Sequence, residues 1–409
     1  VDIDLLSIVK DDIKDLINGT RYQDSLVFET SIKNQVGIKK LKDYIVDLSN
    51  RKIYKNNRDV FRLHIDRVFN MKGHGIVVTG TVDLGSLSNG DFLEVSPKNK
   101  KVKVRKIQSH NKSENNLVMG SRAAINLLNI DNIEIKRGDQ LVSPNSFLTV
   151  TAFIAELNIL DSIKKSIFQN QRVRIYFGTN EVLGRVSLLK KEYNSKETGL
   201  ALIKLEKSIS VSFNDLFIVR TYSPIHNLAS GVVLDLYTNF KWKKIKKRIQ
   251  LLSNKNINER IHQIIEYQES NPFTIETIKL FFGLSKEKTN ELINSLENIS
   301  LYNHKKNNWI MSDLQINNLF EKIIKYLQKF HDENPYVTGV NIQEISNSLG
   351  FEKFFTIFLI ERLIKLKKIL KNNEFIYLSN IKINLNDKQK EEINQIVNVI
   401  NKEGIVSLN

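Results

Sequence analysis

The sequence predicts a multidomain chain: a short α/β stretch, two antiparallel β-barrels, then tandem α+β winged helices. Three observations carry that prediction. Apolar and polar residues alternate across residues 60–238, glycine-centred turns punctuate the same stretch, and the C-terminal part repeats itself at an interval of about 65 residues. The 409 residues allow two to four domains at roughly 100–200 residues each. Lys+Arg number 61 against 45 Asp+Glu, and the surplus of +16 suits a polyanionic partner, nucleic acid before membrane. There is no cysteine, which excludes disulfides, zinc fingers and thiol catalysis. The histidines show no His-Glu-x-x-His or His-x3-His spacing, which disfavours a metal enzyme. No apolar run approaches the roughly 18 residues of a membrane span.

In residues 1–50, Leu5, Leu6, Val9, Ile13 and Leu16 recur at helical spacing and Asn18-Gly19 ends the helix. Leu26-Val27-Phe28 reads as a short buried strand, and Leu41, Ile45 and Leu48 mark a second helix. One strand and two helices are too few for a covered sheet, so this stretch is the tail of a larger domain or an appendage. The acidic start Val1-Asp2-Ile3-Asp4 is not a signal peptide. In residues 60–145, Phe61, Leu63 and Ile65 alternate with Arg62, His64 and Asp66, the pattern of a half-buried strand, and Val102 and Val104 continue it. In residues 146–238, Val150, Phe153, Val173 and Ile175 do the same, with Pro144-Asn145-Ser146 as the seam. Short strands with turns such as Asn89-Gly90-Asp91 and Arg137-Gly138-Asp139 suit two small barrels.

Residues 239–311 form a basic linker and a first winged helix, residues 312–380 a second, and residues 385–409 the start of a third. The repeat carries this division. Asn271-Pro272-Phe273 returns as Asn334-Pro335-Tyr336, Gly283-Leu284 as Gly350-Phe351, and Trp309-Ile310 as Ile376-Tyr377, at offsets of 63, 67 and 67–68 residues. Each unit runs helix, Asn-Pro turn, short helix, glycine turn, longer helix, hairpin, which is a helix-turn-helix with a wing. Trp309 and Tyr377 fall on the hairpins, as core residues or as base-stacking platforms.

Lys72-Gly73-His74-Gly75 leads into Ile76-Val77-Val78-Thr79-Gly80-Thr81-Val82. Taken alone it is a tight turn at a barrel corner. No Gly-x4-Gly-Lys-Ser/Thr phosphate loop occurs anywhere. Together with Phe61–Phe69, Val102–His110, Ile135–Asp139, Arg172–Thr179, Asp215–Arg220 and Gly231–Asp235, this stretch resembles one branch of the translational GTPases, the selenocysteine-specific elongation factor family.

The resemblance implies two translation-factor barrels followed by winged helices, with residues 1–50 as the C-terminal remnant of a GTPase domain. Ser31, Ile32 and Lys33 match the last guanine-binding motif, usually Ser-Ala-Lys, with Ile32 in place of Ala; without the barrels they read as a strand-to-loop turn. The phosphate loop and switches are then expected before Val1 and the last winged helices after Asn409, so the chain is expected to be a segment. The family binds GTP with Mg²⁺, whereas this chain alone is expected to bind and hydrolyse none. The resemblance further implies a monomer in the cytoplasm, away from membranes, whose partners are selenocysteyl-tRNA, the ribosome and, through the missing winged helices, an mRNA hairpin.

By the same resemblance, Asp66, Arg67 and Arg122, with Gly73 and Gly75, lie at the pocket for the aminoacyl end. Selenocysteine is anionic at neutral pH, and a basic pocket favours it over neutral serine by charge-assisted contacts. The plain alternative is a barrel-edge ion pair worth about 0–1 kcal/mol. Lys241, Lys243, Lys244, Lys246, Lys247 and Arg248 place six cations in eight residues. They are an RNA-backbone contact or a solvated linker helix. Two other functions stay open: a winged-helix DNA-binding regulator, or another translational GTPase, which would lack the winged-helix repeat.

Overall fold

The computed structural model describes residues 3–20, 22–51, 59–71, 75–128, 134–160, 166–236, 242–252, 257–266, 271–334, 337–380 and 387–403. The chain divides into two compact units, Val1–Asn56 and Asn57–Asn409.

The first unit holds helices α1 (Ile3–Ile17) and α2 (Ile38–Asn50). Gly37 starts α2 with φ 69°, and a Cβ there would sit 1.9 Å from the Glu29 carbonyl oxygen, so only glycine fits. The expected strand at Leu26-Val27-Phe28 does not form. Leu26 and Val27 are exposed, Phe28 packs on Tyr44 with ring centroids 5.0 Å apart, and among the described residues of this unit the sole β-pairing is the Ser31–Val36 bridge. A strand needs a neighbour to take its backbone groups, and none is at hand.

The second unit opens with β1 (Arg62–Met71), β2 (Gly75–Leu84), β3 (Ser86–Ser88), β4 (Phe92–Ser96), β5 (Lys100–Ser109), β6 (Lys112–Glu114), β7 (Asn116–Val118), β8 (Arg122–Leu128) and β9 (Gln140–Val142). They close in the order β4-β9-β1-β2-β8-β5 and back to β4, with β6 added beside β5. Leu63, Ile65, Val78, Ile107 and Ile125 fill the interior without exposure, the face set by period-two alternation. A second barrel follows with β10 (Leu148–Ile159), β11 (Ile167–Phe168), β12 (Gln171–Phe177), β13 (Asn180–Leu188), β14 (Glu192–Tyr193), β15 (Thr198–Val211), β16 (Leu216–Thr221) and β17 (Asn227–Asp235), closed in the order β10-β15-β13-β12-β16-β17. Both barrels are six-stranded and antiparallel.

The barrels are fastened through the outer face of β1. Arg62 is buried and donates to Asp215 Oδ2 and Oδ1 at 2.6 and 2.9 Å and to Asp83 Oδ2 at 2.6 Å. Burial opposes its charge, but Asp215 and Asp83 hold the guanidinium pKa above its usual value. Thr179 donates to the Ile65 carbonyl at 2.7 Å, and the Gly178 Cα lies against the His64 ring, where a Cβ would come within 2.3 Å. The seam at 144–146 is not a free linker: Ser146 is buried, and Phe147 beside it is buried against Gly283 of the next domain.

That domain contains α3 (Trp242–Leu251), α4 (Ile257–Glu266), α5 (Ile275–Phe282), α6 (Lys286–Ser295) and the hairpin β18 (Ile299–His304) and β19 (Asn307–Ser312). The last winged-helix unit contains α7 (Asp313–Glu333), β20 (Val340–Asn341), α8 (Ile342–Leu349), α9 (Lys353–Lys365), β21 (Ile369–Asn372) and β22 (Phe375–Leu378). The repeat is visible in the caps. Gly283 and Gly350 both end their helices in the left-handed region, and Thr274 and Asn341 cap the following backbone N–H groups. Pro335 and Tyr336 lie outside the described residues. Helix α10 (Asp387–Glu403) follows, with exposed side chains wherever they are described.

One hydrophobic cluster runs from the second barrel into α3–α6, and Trp309 and Met311 of β19 belong to the core of the last winged-helix unit.

Candidate functional site

Three adjacent strands build the predicted aminoacyl site. The register of β1 against β2 shifts between Ile65 and Arg67, which pair with Gly80 and Thr79, so Asp66 is the extra residue of a β-bulge. A bulge re-aims its side chain, and Asp66 meets Thr79 of β2 and Arg122 of β8. The Thr79 hydroxyl donates to Asp66 Oδ1 at 2.6 Å, and Arg122 forms an ion pair with Oδ2. Gly80 permits the approach of β1, since a Cβ there would lie 2.3 Å from the His64 carbonyl oxygen. Arg67 is exposed beside the pair, and half of the Arg122 side chain is exposed.

Partial burial pushes the Asp66 carboxyl up, but the Thr79 hydroxyl and the charges of Arg122 and Arg67 together hold it below the usual carboxylate range. One carboxylate and two guanidiniums leave a local surplus of one positive charge. Asp66 is therefore not a proton acceptor at neutral pH. It orients Arg122, and the pair of arginines presents donors suited to an anion. Gly75 opens β2 with φ 80° and open space at its Cβ position, apart from the Leu127 carbonyl oxygen at 3.5 Å. Gly73, with Lys72 and His74, lies outside the described residues. The motif reading missed Thr79; its place on the strand between Asp66 and Arg122 appears only when β1, β2 and β8 are side by side.

Ser31, Ile32 and Lys33 form a turn in the first unit. Ser31 N donates to the Val36 carbonyl at 3.0 Å, Asn34 N donates to Ser31 Oγ at 3.3 Å, and Ile32 and Lys33 are exposed.

The basic run is divided. Lys241 lies outside the described residues, as do the side chains of Lys243 and Lys244, while Lys246 and Lys247 are exposed. Arg248 is a correction to the expected RNA contact: it is 1% exposed, and its Nε donates to the fully buried Asp235. Helix α3 buries Ile245 and Ile249, Leu252 just beyond it is buried too, and Arg248 shares that face.

Of the helices that would read a nucleic-acid groove, α9 is partly covered and α6 carries mixed charge. Helix α9 buries Phe355, Phe358, Leu359 and Leu363, and its outer side packs on the first hairpin. There Phe358 meets Tyr302, His304 and Trp309, and His304 Nε2 lies 3.0 Å from Glu361 Oε2. Trp309 is 3% exposed and is hairpin core. Helix α6 shows solvent a mixture of Lys286, Glu287 and Glu291, and its cap Ser285 is bound to Asp59. Neither helix suits a DNA-binding regulator.

Residues 155–239 match the family model of the selenocysteine-specific elongation factor β-barrel domain. A selenocysteine-specific elongation factor of Desulfomicrobium baculatum is 24% identical over 387 residues, 92% of this chain and 61% of that protein. The crystal structure of a bacterial selenocysteine-specific elongation factor, EF-Sec, superposes with a TM-score of 0.72 at 21% identity, covering 98% of this chain and 63% of that one. A structure of elongation factor SelB from Methanococcus maripaludis with the GTP analogue GppNHp gives a TM-score of 0.51 at 24% identity, over 58% of this chain and 57% of that one. The chain thus spans about three fifths of the length of the curated relative.

Proposed function

We propose that this chain, a relative of the selenocysteine-specific elongation factors, carries selenocysteyl-tRNA to the ribosome in a GTP-dependent cycle. The observation that carries the reading is likeness to a factor of that name over 92% of the chain. The positive cluster on the first barrel agrees with it chemically. A selenolate forms ion pairs with Arg67 and Arg122, whereas the neutral serine hydroxyl on the same tRNA brings no opposite charge to them. Asp66 acts as a positioning residue that fixes Arg122. GTP, with Mg²⁺, serves the cycle through a guanine contact at Ser31–Lys33, and the winged helices are directed toward an mRNA hairpin.

The test compares selenocysteyl-tRNA and seryl-tRNA of one tRNA body in a binding assay. Arg67→Ala or Arg122→Ala removes a contact of about 1.5–3 kcal/mol, roughly ten- to 150-fold in affinity, from the selenocysteyl form alone. Asp66→Ala has the smaller effect. Equal losses on both aminoacyl forms overturn the selenolate pocket.

A further inference from the structure

The last winged-helix unit carries a surface that the aminoacyl-tRNA reading does not use. From residue 362 to 371 the chain holds five cations and no carboxylate: Arg362, Lys365, Lys367, Lys368 and Lys371. All five are exposed, and among the described residues none is in a salt bridge. The run begins in the last turn of α9, passes a turn where Lys367 has φ 56°, and enters β21. Lysines near a helix C-terminus favour the helix dipole, and lysines on an edge strand discourage aggregation, so charge alone has an ordinary explanation. The neighbouring groove has none.

That groove, of about 610 Å³, lies between β18, one face of α7 and the end of α9. Tyr302, Asp313, Asn317, Phe320, Arg362 and Lys365 line it. The Arg362 guanidinium lies over the Tyr302 ring, 4.9 Å from its centroid, and is exposed. The Tyr302 hydroxyl donates to Asp313 at 3.1 Å. The groove therefore offers a flat cationic plate, a carboxylate and a carboxamide on the α7 side, and an ammonium beside them. A nucleotide has the matching parts: a π-face, an edge with donors, and a phosphate.

We infer that the groove and the basic ridge bind single-stranded RNA, with one unstacked base bearing an exocyclic amino group in the groove and successive phosphates along Lys365–Lys371. A single strand is favoured because the groove takes a base that has left its stack, and the hairpin at Tyr302 and His304 covers one flank of α9. An amino-bearing base is favoured because Asp313 accepts hydrogen bonds: cytosine offers an exocyclic amino group there, whereas uracil offers one ring N–H between two carbonyls. Only the choice of RNA over DNA rests on the ribosomal reading above.

The test is fluorescence anisotropy of the full chain with fluorescein-labelled oligo(C) and oligo(U) 12-mers across a salt series. Oligo(C) should bind at least about tenfold tighter than oligo(U), the low end of one hydrogen bond to a charged group. Arg362→Ala and Arg362→Lys should both weaken oligo(C) and oligo(U), since lysine keeps the charge but not the plate, whereas Asp313→Asn should erase the difference between them. Lys367→Ala/Lys368→Ala should weaken both oligomers alike and flatten the log K against log salt slope by about 1.4. Lys325→Ala/Lys329→Ala, which removes the same charge from the exposed side of α7, should change nothing. Trp309 fluorescence verifies the fold of each variant. The inference is overturned if the two lysine pairs lose affinity equally, or if oligo(C) and oligo(U) bind alike to the unaltered chain. The probes carry no aminoacyl group, so this result and the tRNA discrimination stand or fall separately.

Discussion

Arg62→Met strands a buried charge between the barrels, and its consequence can be worked from the contacts. Three charge-assisted bonds disappear: two to Asp215 and one to Asp83. Asp83 is 39% exposed at its side chain and regains water, but Asp215 is 4% exposed and keeps the Ser212 N–H at 2.8 Å. Breaking a buried pair in this way destabilises by about 3–5 kcal/mol, or two to nearly four decades in the opening equilibrium. Hydrogen exchange followed by mass spectrometry on peptides from β1 and β16 measures it. Adding Asp215→Asn removes the stranded charge while the carboxamide oxygen, turned to the place of Oδ2, accepts from Ser212 N–H, and should restore more than half of the loss. The pH dependence has a definite sign. Burial pushes Asp83 up, but His64 and Arg62 hold it well below the usual carboxylate range, so its contribution is present above about pH 4 and is lost as pH falls through the lower folded value. The variant lacks the Arg62 share of that contribution, so the gap between Arg62→Met and the unaltered chain should narrow as pH falls from about 5 toward about 2. A double variant no better than the single one, or a gap independent of pH, would refute the reasoning.

Three further outcomes are expected. Gly80→Ala drives a Cβ to 2.3 Å from the His64 carbonyl oxygen and should destabilise the first barrel by about 1–3 kcal/mol, read as a lower urea midpoint. His331 is buried, and desolvation lowers its pKa despite Asp332, so the stability it allows is present above about pH 6.5 and is lost as pH falls through the lower folded value; His331→Phe should remove that dependence from thermal unfolding between pH 7 and 5. Arg248→Ala leaves Asp235 buried and should destabilise by about 3–5 kcal/mol in denaturant unfolding, while Lys247→Ala changes stability by less than about 1 kcal/mol.

What the sequence conveys here is local periodicity and order; what it withholds is phase and partner. Alternation at Phe61, Leu63 and Ile65 identified the inner face of β1, because a strand puts every second side chain on one side. The same alternation assigned Arg62 to solvent, and its partner Asp215 lies 153 residues away on another barrel. Arg248 was hidden within a run of cations, although its spacing three residues after Ile245 sets it beside the buried stripe of α3. Leu26-Val27-Phe28 has strand composition, but composition does not supply a neighbouring strand. The Asp66–Arg122 pairing required the strand order β1-β2-β8, whereas the glycines that allow it, Gly75 and Gly80, stood in the motif.

The shared cores of the second barrel, the first winged helix and the last one have a mechanical meaning. Hydrophobic side chains, rather than a tether, span each boundary, with Ile245 and Phe281 at one and Trp309 at the other. Close-packed interiors have low compressibility, so these boundaries resist bending as the domains themselves do. A load applied to the second wing is then delivered as torque to the barrels, where Arg62 and Thr179 are the bolts nearest the Asp66 bulge. Whatever is held at one end and at the other would then be coupled through these packed side chains.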